Sequence, residues 1–271
     1  MESVSYKTIE IGRAQHTIYS DDNYLEQMEE SFEPDMVGLF TALASDSDTI
    51  LDIGANIGCT ALLFKDLATQ VHAFEPSPST FSLLKKNIEY NDGNGITLHN
   101  IGLGSTAGNT TLTFSPDNRS GGFVSDLTKA SAGHITENIV VKTLDQVVEE
   151  NNIENIDFLK IDVEGFEASV LRGAKTTLQK HKPAVVLELN HWCLNAFQRT
   201  SIPEFFDFLR GEFPILLAMD GENYLDLHND SESYIVMYHH ILEMKFCNLV
   251  AAFDEYQLAA LRSLYTRGMP S

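Results

Sequence analysis

Ile50-Leu51-Asp52-Ile53-Gly54-Ala55-Asn56-Ile57-Gly58-Cys59-Thr60, continuing to Ala73-Phe74-Glu75-Pro76, is the stretch whose reading decides the fold. The apolar run 49–53 predicts a short buried strand, 54–58 a sharp turn, 57–68 a helix and 70–74 a second strand. Gly54 and Gly58 suit the turn because glycine tolerates positive φ and lets a ligand approach the backbone. The helix that follows offers free N–H groups and the positive end of its dipole, which favour a carboxylate or phosphate. Glu75 closes the second strand roughly 20 residues after the glycine turn, where a carboxylate accepts hydrogen bonds from a ribose diol. A ribose-bearing ligand is expected.

The turn departs from the dinucleotide fingerprint. Gly54-x-Asn56-x-Gly58 replaces G-x-G-x-x-G, and Asp52 stands just before it. A carboxylate there repels a pyrophosphate and attracts an ammonium or sulfonium group. S-adenosylmethionine carries both cations and a ribose, and it is the cofactor this constellation selects. The competing account of Asp52 is a carboxylate that only bonds the local backbone.

Eighteen Lys plus Arg against 39 Asp plus Glu give the 271-residue chain a net charge of −21. That balance opposes docking on nucleic acid or an anionic membrane surface. The length suits one α/β domain with additions at its ends. Cys59, Cys193 and Cys247 are far apart and show no C-x-x-C spacing, so they read as reduced thiols of a cytoplasmic protein. No apolar run reaches the roughly 18 residues of a membrane helix, and no signal segment is legible, so membrane insertion is not expected.

Along the chain, apolar runs alternate with helical stripes, which predicts a doubly wound, mostly parallel α/β sheet of seven strands. Phe81, Leu84 and Ile88 mark a helix, and 96–101 a third strand. Polar-alternating strands near 109–115 and 138–141 form a hairpin insertion. The Ser- and Gly-rich loop 116–137 between them is either a lid or a flexible insertion. Thr143 and Gln146 have capping-box spacing for a short helix, and 156–161 reads as the fourth strand. A fifth strand at 184–189, a helix at 202–209, a strand at 214–218 and a final, antiparallel strand at 233–238 complete the reading. Residues 1–45 form an N-terminal extension, 46–240 the S-adenosylmethionine-dependent domain, and 241–271 a C-terminal helical addition with Leu258, Leu261 and Leu264 on one stripe.

Ligands of open α/β sheets bind at the carboxyl ends of the strands. Asp52, Glu75, Asn100, Asp162 and Glu188 stand there, although charged residues also end strands because solvent begins there.

The chain resembles the FkbM family of class I S-adenosylmethionine-dependent methyltransferases. The resemblance rests on Leu51-Asp52-Ile53-Gly54-Ala55-Asn56-Ile57-Gly58, Ala73-Phe74-Glu75-Pro76-Ser77-Pro78, Thr143-Leu144-Asp145 and Phe158-Leu159-Lys160-Ile161-Asp162-Val163-Glu164-Gly165-Phe166-Glu167, continued by Val170-Leu171-Arg172-Gly173-Ala174. It spans roughly residues 45 to 190, and Phe32-Glu33-Pro34 resembles the family's short Glu-Pro step. It implies a Rossmann-like fold and O-methyl transfer to a hydroxyl of a sugar, glycan or secondary metabolite. It places Gly54, Asn56 and Gly58 on the methionine part of the cofactor, Glu75 at the ribose and Asn100 or a neighbour at the adenine, with Ala55 and Pro76 also among the cofactor-binding residues. The usual acidic residue after the third strand is missing here.

Methyl transfer is an in-line displacement, so the protein chiefly aligns the nucleophile and removes its proton. Asp162, Glu164 and His191 are the candidate bases by location. Glu164 reads equally as support for a helix dipole, and His191 as a packed or capping histidine. Asp162, Glu164 and Glu188 form an alternative set for a hard divalent cation, though no metal is favoured. The acceptor is a small molecule or glycan, and a homo-oligomer is allowed. The other classes are a protein or amide methyltransferase, a nicotinamide-dependent oxidoreductase and a binding-only protein on the same fold.

Overall fold

The computed structural model describes residues 4–125, 127–128 and 133–269. In chain order the strands are β1 (Ser5–Ile11), β2 (Ala14–Ser20), β3 (Ser47–Ile53), β4 (Ala68–Phe74), β5 (Ile96–His99), β6 (Gly102–Leu103), β7 (Gly108–Ser115), β8 (Asn118–Val124), β9 (Ile135–Lys142), β10 (Ile156–Ile161), β11 (Ala184–Glu188), β12 (Ile215–Asp220), β13 (Asn223–Asp226), β14 (Asn248–Ala252) and β15 (Thr266–Arg267). The central sheet runs β15-β13-β12-β14-β11-β10-β3-β4-β5.

Side-chain alternation sorts this sheet into two apolar layers. Ile50, Phe158, Ala184, Val186, Leu217 and Val250 pack on one face with the helices Pro34–Ala44 and Cys59–Lys65. Leu51, Leu159, Val185, Leu187, Leu216 and Leu249 pack on the other with Leu144–Glu150 and Ile202–Glu212. A strand buried on both faces must be apolar at every position, which is why these segments read as unbroken runs. Strand order reverses between β3 and β10, because β4 and β5 extend one way and β11 the other. That reversal opens a crevice above the carboxyl ends of β3 and β10.

Several expectations are corrected. Among the described residues the sheet has nine strands, not seven, and it is mixed, with five parallel ladders and three antiparallel ones. The 233–238 segment is not a strand but part of the helix Asp230–Glu243. Asn229 Oδ1 caps it by accepting from the N–H groups of Ser231 and Glu232, and Ser233, Val236 and His240 form its buried stripe. The antiparallel strands are instead β14, β13 and β15, and the C-terminal segment is not purely helical, because β14 enters the sheet between β11 and β12.

The N-terminal extension contains two strands as well as helices. β1 and β2 form a hairpin, which docks on the helix Pro78–Tyr90 through two asparagine amides. Asn87 bonds the N–H and C=O of Tyr19, and Asn91 those of Thr17. The hairpin insertion is part of a second sheet, β6-β9-β7-β8, because the expected loop 116–137 contains β8. Residues 126 and 129–132 of that loop lie outside the described residues. Among the described residues no helix is long and apolar enough to cross a membrane.

Candidate active site

β3 ends on a turn that tolerates no side chain at its first position. Gly54 has φ +82°, and a Cβ there would lie 1.8 Å from the carbonyl oxygen of Asp162. Gly58, at φ +103°, starts the helix Cys59–Lys65 under Leu84. Asn56 adopts φ +47° between them, a conformation asparagine tolerates better than most residues. Its N–H donates to Glu75 Oε2 at 3.1 Å, while Ser77 N–H donates to Glu75 Oε1 at 2.9 Å.

Asp52 and Lys160 are register partners on β3 and β10. Asp52 is fully buried: Thr60 Oγ1 donates to its Oδ2 at 2.6 Å, and its Oδ1 lies 3.5 Å from Lys160 Nζ without a hydrogen-bond partner. Lys160 Nζ donates to Gly54 O at 2.7 Å and lies 3.4 Å from Asp162 Oδ2. Burial alone would lower the lysine's pKa, but Asp162 and Asp52 reverse this and raise it. Lys160 is therefore a charged pin joining three parts of the turn region.

After β10 the chain turns through Glu164, at φ +53°, and Gly165, at φ +92°. Glu167 Oε1 holds this turn by accepting from Val163 N–H and Gly165 N–H, both at 3.1 Å. Cys193 Sγ and Asn190 Nδ2 donate to Glu164 Oε2. Asp162, Glu164 and Glu188 bring one carboxylate oxygen each within 4.8 Å of one another. Glu188 Oε2 is sealed from solvent and has no partner among the described residues.

These elements enclose a cleft of about 400 Å³, the size of a small-molecule site. Asp52 lies beneath it, and Gly54, Ala55, Asn56, Gly58, Glu75 and Pro76 line it, as do Asp162, Glu164 and Glu188. Two sequence candidates do not. Asn100 turns away, its Nδ2 bracing the carbonyls of Glu75 and Pro76. His191 packs against His240, whose Nε2 accepts from the His191 N–H at 3.3 Å.

Other cleft residues escape a reading by strand ends. Ile101, just before β6, and Leu103, Leu112, Ile139 and Val141 of β6, β7 and β9 make an apolar wall. Tyr24 and Glu33 arrive from the N-terminal extension. Arg119 of β8 clasps Asp21 through Nε and Nη2, at 2.8 and 3.0 Å, and donates from Nη1 to Ser79 Oγ, so the second sheet is bolted over the cleft. Lys160 left a signal, a lysine inside an otherwise buried strand. Tyr24 and Arg119 left none, because their contacts are distant in sequence.

Burial, with smaller effects from neighbours, pushes the carboxyl of Glu75 up to about 8, Glu164 to about 7, Glu167 to about 8 and Glu188 to about 10. For Glu188 the neighbours are Asp162, Glu164 and Glu167. The folded chain thus binds more protons than the unfolded one above the ordinary carboxyl pKa of 4.5, so stability falls as pH rises through these values. Without ligand, the melting temperature is expected to drop by about 5 °C or more between pH 5.5 and 8.5. Calorimetry showing a rise across that window would contradict these assignments.

A family model for the methyltransferase FkbM domain matches residues 52–224, well over half of the chain. The chain belongs to the FkbM methyltransferase family. The match contains the glycine turn, the Glu75 strand end and the acidic turn after β10.

Two curated relatives of this FkbM-family chain carry informative names. It is 34% identical over 149 residues to the hexuronic acid methyltransferase AglP of Haloferax volcanii, covering 54% of this chain and 58% of that one. It is 32% identical over 158 residues to the 31-O-demethyl-FK506 methyltransferase FkbM of Streptomyces tacrolimicus, covering 47% and 60%. The chain thus spans less than two thirds of the length of these relatives. Among solved structures, a methyltransferase FkbM from Methylobacillus flagellatus KT is 25% identical with a TM-score of 0.37, covering 53% of this chain and 33% of that one.

Proposed function

We propose that this FkbM-family chain is an S-adenosylmethionine-dependent O-methyltransferase acting on a hydroxyl of a sugar, glycan or secondary metabolite. The observation that carries this reading is the charge of the cleft. Six carboxyl groups, those of Glu33, Asp52, Glu75, Asp162, Glu164 and Glu188, lie at or against its surface, and those that burial holds protonated in the empty cleft, Glu75 and Glu188 above all, ionise more readily when a cation enters. Its two cations among the described residues are already engaged, Lys160 by Asp52 and Asp162 and Arg119 by Asp21. A pyrophosphate would find no counter-charge, whereas an ammonium and a sulfonium would.

The residues fit the cofactor. The side-chain-free floor at Gly54 and Gly58 admits the methionine end, and Asp52 supplies negative charge beneath it. Glu75, with both oxygens already oriented by backbone N–H groups, suits a ribose diol, and the apolar wall suits a flat base. S-adenosylmethionine supplies a methyl group already activated by positive sulfur.

Asp162 is the residue proposed to take the acceptor's proton. It opens to the cleft, and Lys160 holds its carboxylate. Glu164 flanks it, and His191 has no part in this reading because it lies outside the cleft. Transfer of labelled methyl groups to a panel of glycosides and polyols tests the function. Asp162→Asn is expected to lower kcat by about 100-fold or more with cofactor affinity unchanged. Retained turnover would remove Asp162 from this role. The unpartnered oxygen of Glu188 favours one second reading, a divalent cation on Asp162, Glu164 and Glu188 that acidifies the hydroxyl. Activity abolished by EDTA and restored by Mg²⁺ would select it. Methylation of proteins or amides, preference for NADH, or binding without transfer would each replace the proposal.

A further inference from the structure

The carboxyl edge of the sheet does not stop at Glu188. Asn248 of β14 is the register partner of both Glu188 on β11 and Met219 on β12. Two inter-strand spacings put Met219 about 10 Å from Glu188 along the same shelf. Over that shelf lies a groove of about 420 Å³. It shares Glu33, Met36, Cys247 and Asn248 with the cofactor cleft, so the two cavities meet beside the acidic trio.

The groove's surface has two kinds of chemistry. Met36, Met219, Met244 and Phe246 make it apolar, and methionine side chains adapt to irregular apolar shapes. Met244 is 50% exposed at the left-handed end of the helix Asp230–Glu243, an uncommon place for a large apolar side chain with nothing to cover. The polar contribution is negative, from Glu33, Asp35 and Asp220. Among the described residues none of these three carboxylates makes an ion pair, and the nearby Lys245 pairs with Glu243 at 3.3 Å. An anion entering here meets three acidic side chains on a chain of net charge −21, offset only in part by Lys245 near Asp220 and Lys160 near Glu33.

We infer that this groove is the acceptor site and that it takes a hydroxyl compound with an apolar face and no negative charge. The inference rests on the methyltransferase reading, and it names the substrate class of that site. Its apolar wall holds the body of the acceptor, and the opening between Glu33 and Asn248 presents a hydroxyl to Asp162. Uronic acids and phosphorylated sugars are rejected by the acidic rim.

Calorimetry with S-adenosylhomocysteine on the full chain first tests the cofactor reading alone, and no binding would end that reading. On the S-adenosylhomocysteine complex, three probes then test the groove: methyl glucoside, phenyl glucoside and phenyl glucuronide. Phenyl glucoside is expected to bind at least threefold tighter than methyl glucoside and at least tenfold tighter than phenyl glucuronide. In the Asp35→Lys/Asp220→Lys double variant the discrimination against the glucuronide should shrink below threefold, with S-adenosylhomocysteine affinity unchanged. Glucuronide binding as tightly as glucoside, no gain from the phenyl group, no binding by any probe, or unchanged discrimination in the folded double variant would each overturn the assignment.

Discussion

Gly54→Ala is expected to cost about 3 kcal/mol or more in stability and to lower affinity for S-adenosylhomocysteine by at least about 100-fold. The cause is geometric. Its Cβ would sit 1.8 Å from the Asp162 carbonyl oxygen, on backbone at φ +82°. The clashing atoms are backbone atoms of Asp162, not a flexible side chain that could yield, so β3 and β10 must part at their carboxyl ends. That movement breaks the 2.7 Å bond from Lys160 to Gly54 O and opens the cleft floor. Urea denaturation and calorimetry read the two effects separately. Gly211→Ala is the control: this glycine lies within the helix Ile202–Glu212, its Cβ would meet nothing within 4 Å, and alanine there should stabilise by up to about 1 kcal/mol. A Gly54→Ala protein with wild-type stability and affinity would refute the packing argument.

Lys160→Met should destabilise by about 3–5 kcal/mol, because it leaves Asp52 buried without its counter-charge. Asp52 is 0% exposed, and its Oδ1 has no hydrogen-bond donor to fall back on. Burial already raises its pKa against the opposing pull of Lys160. Without the lysine the carboxyl is raised further. The folded variant then prefers the protonated form, and its deficit relative to wild type should shrink as pH falls. Adding Asp52→Asn should recover part of the loss, and a double-mutant cycle measures the coupling. Equal stability of Lys160→Met and wild type at pH 8 would show that the pin carries no net energy.

Local signals were strong where chemistry and chain direction coincide. The turn 54–58, the capping box at Thr143 and Gln146, and the strand Ile156–Ile161 depend on neighbours within a few residues, and the structure shows each of them. The 233–238 segment misled because Tyr, Ile and Val favour strands, while the Asn229 cap and a helical burial stripe outweighed that propensity. β8 looks like loop in the sequence because its Gly and Ser residues lack strand character. Its pairing with β7 and the clasp of Arg119 on Asp21 and Ser79 hold it instead. Asn100 and His191 stand near strand ends like the other candidates, but their side chains turn to the backbone of Pro76 and to His240.

The sequence by itself determined the α/β alternation, the glycine turn and the line of acidic strand ends, because each is encoded by residues adjacent in the chain. It also carried the family. Only the tertiary structure decided that Lys160 joins Asp52, Gly54 and Asp162, that the N-terminal extension and second sheet wall the cleft, and that β14 carries the carboxyl edge into a second groove. Those features depend on strand order and register, which bring together residues far apart in the chain, such as Lys160 and Gly54, 106 positions apart. Local propensity and periodicity do not record that distance.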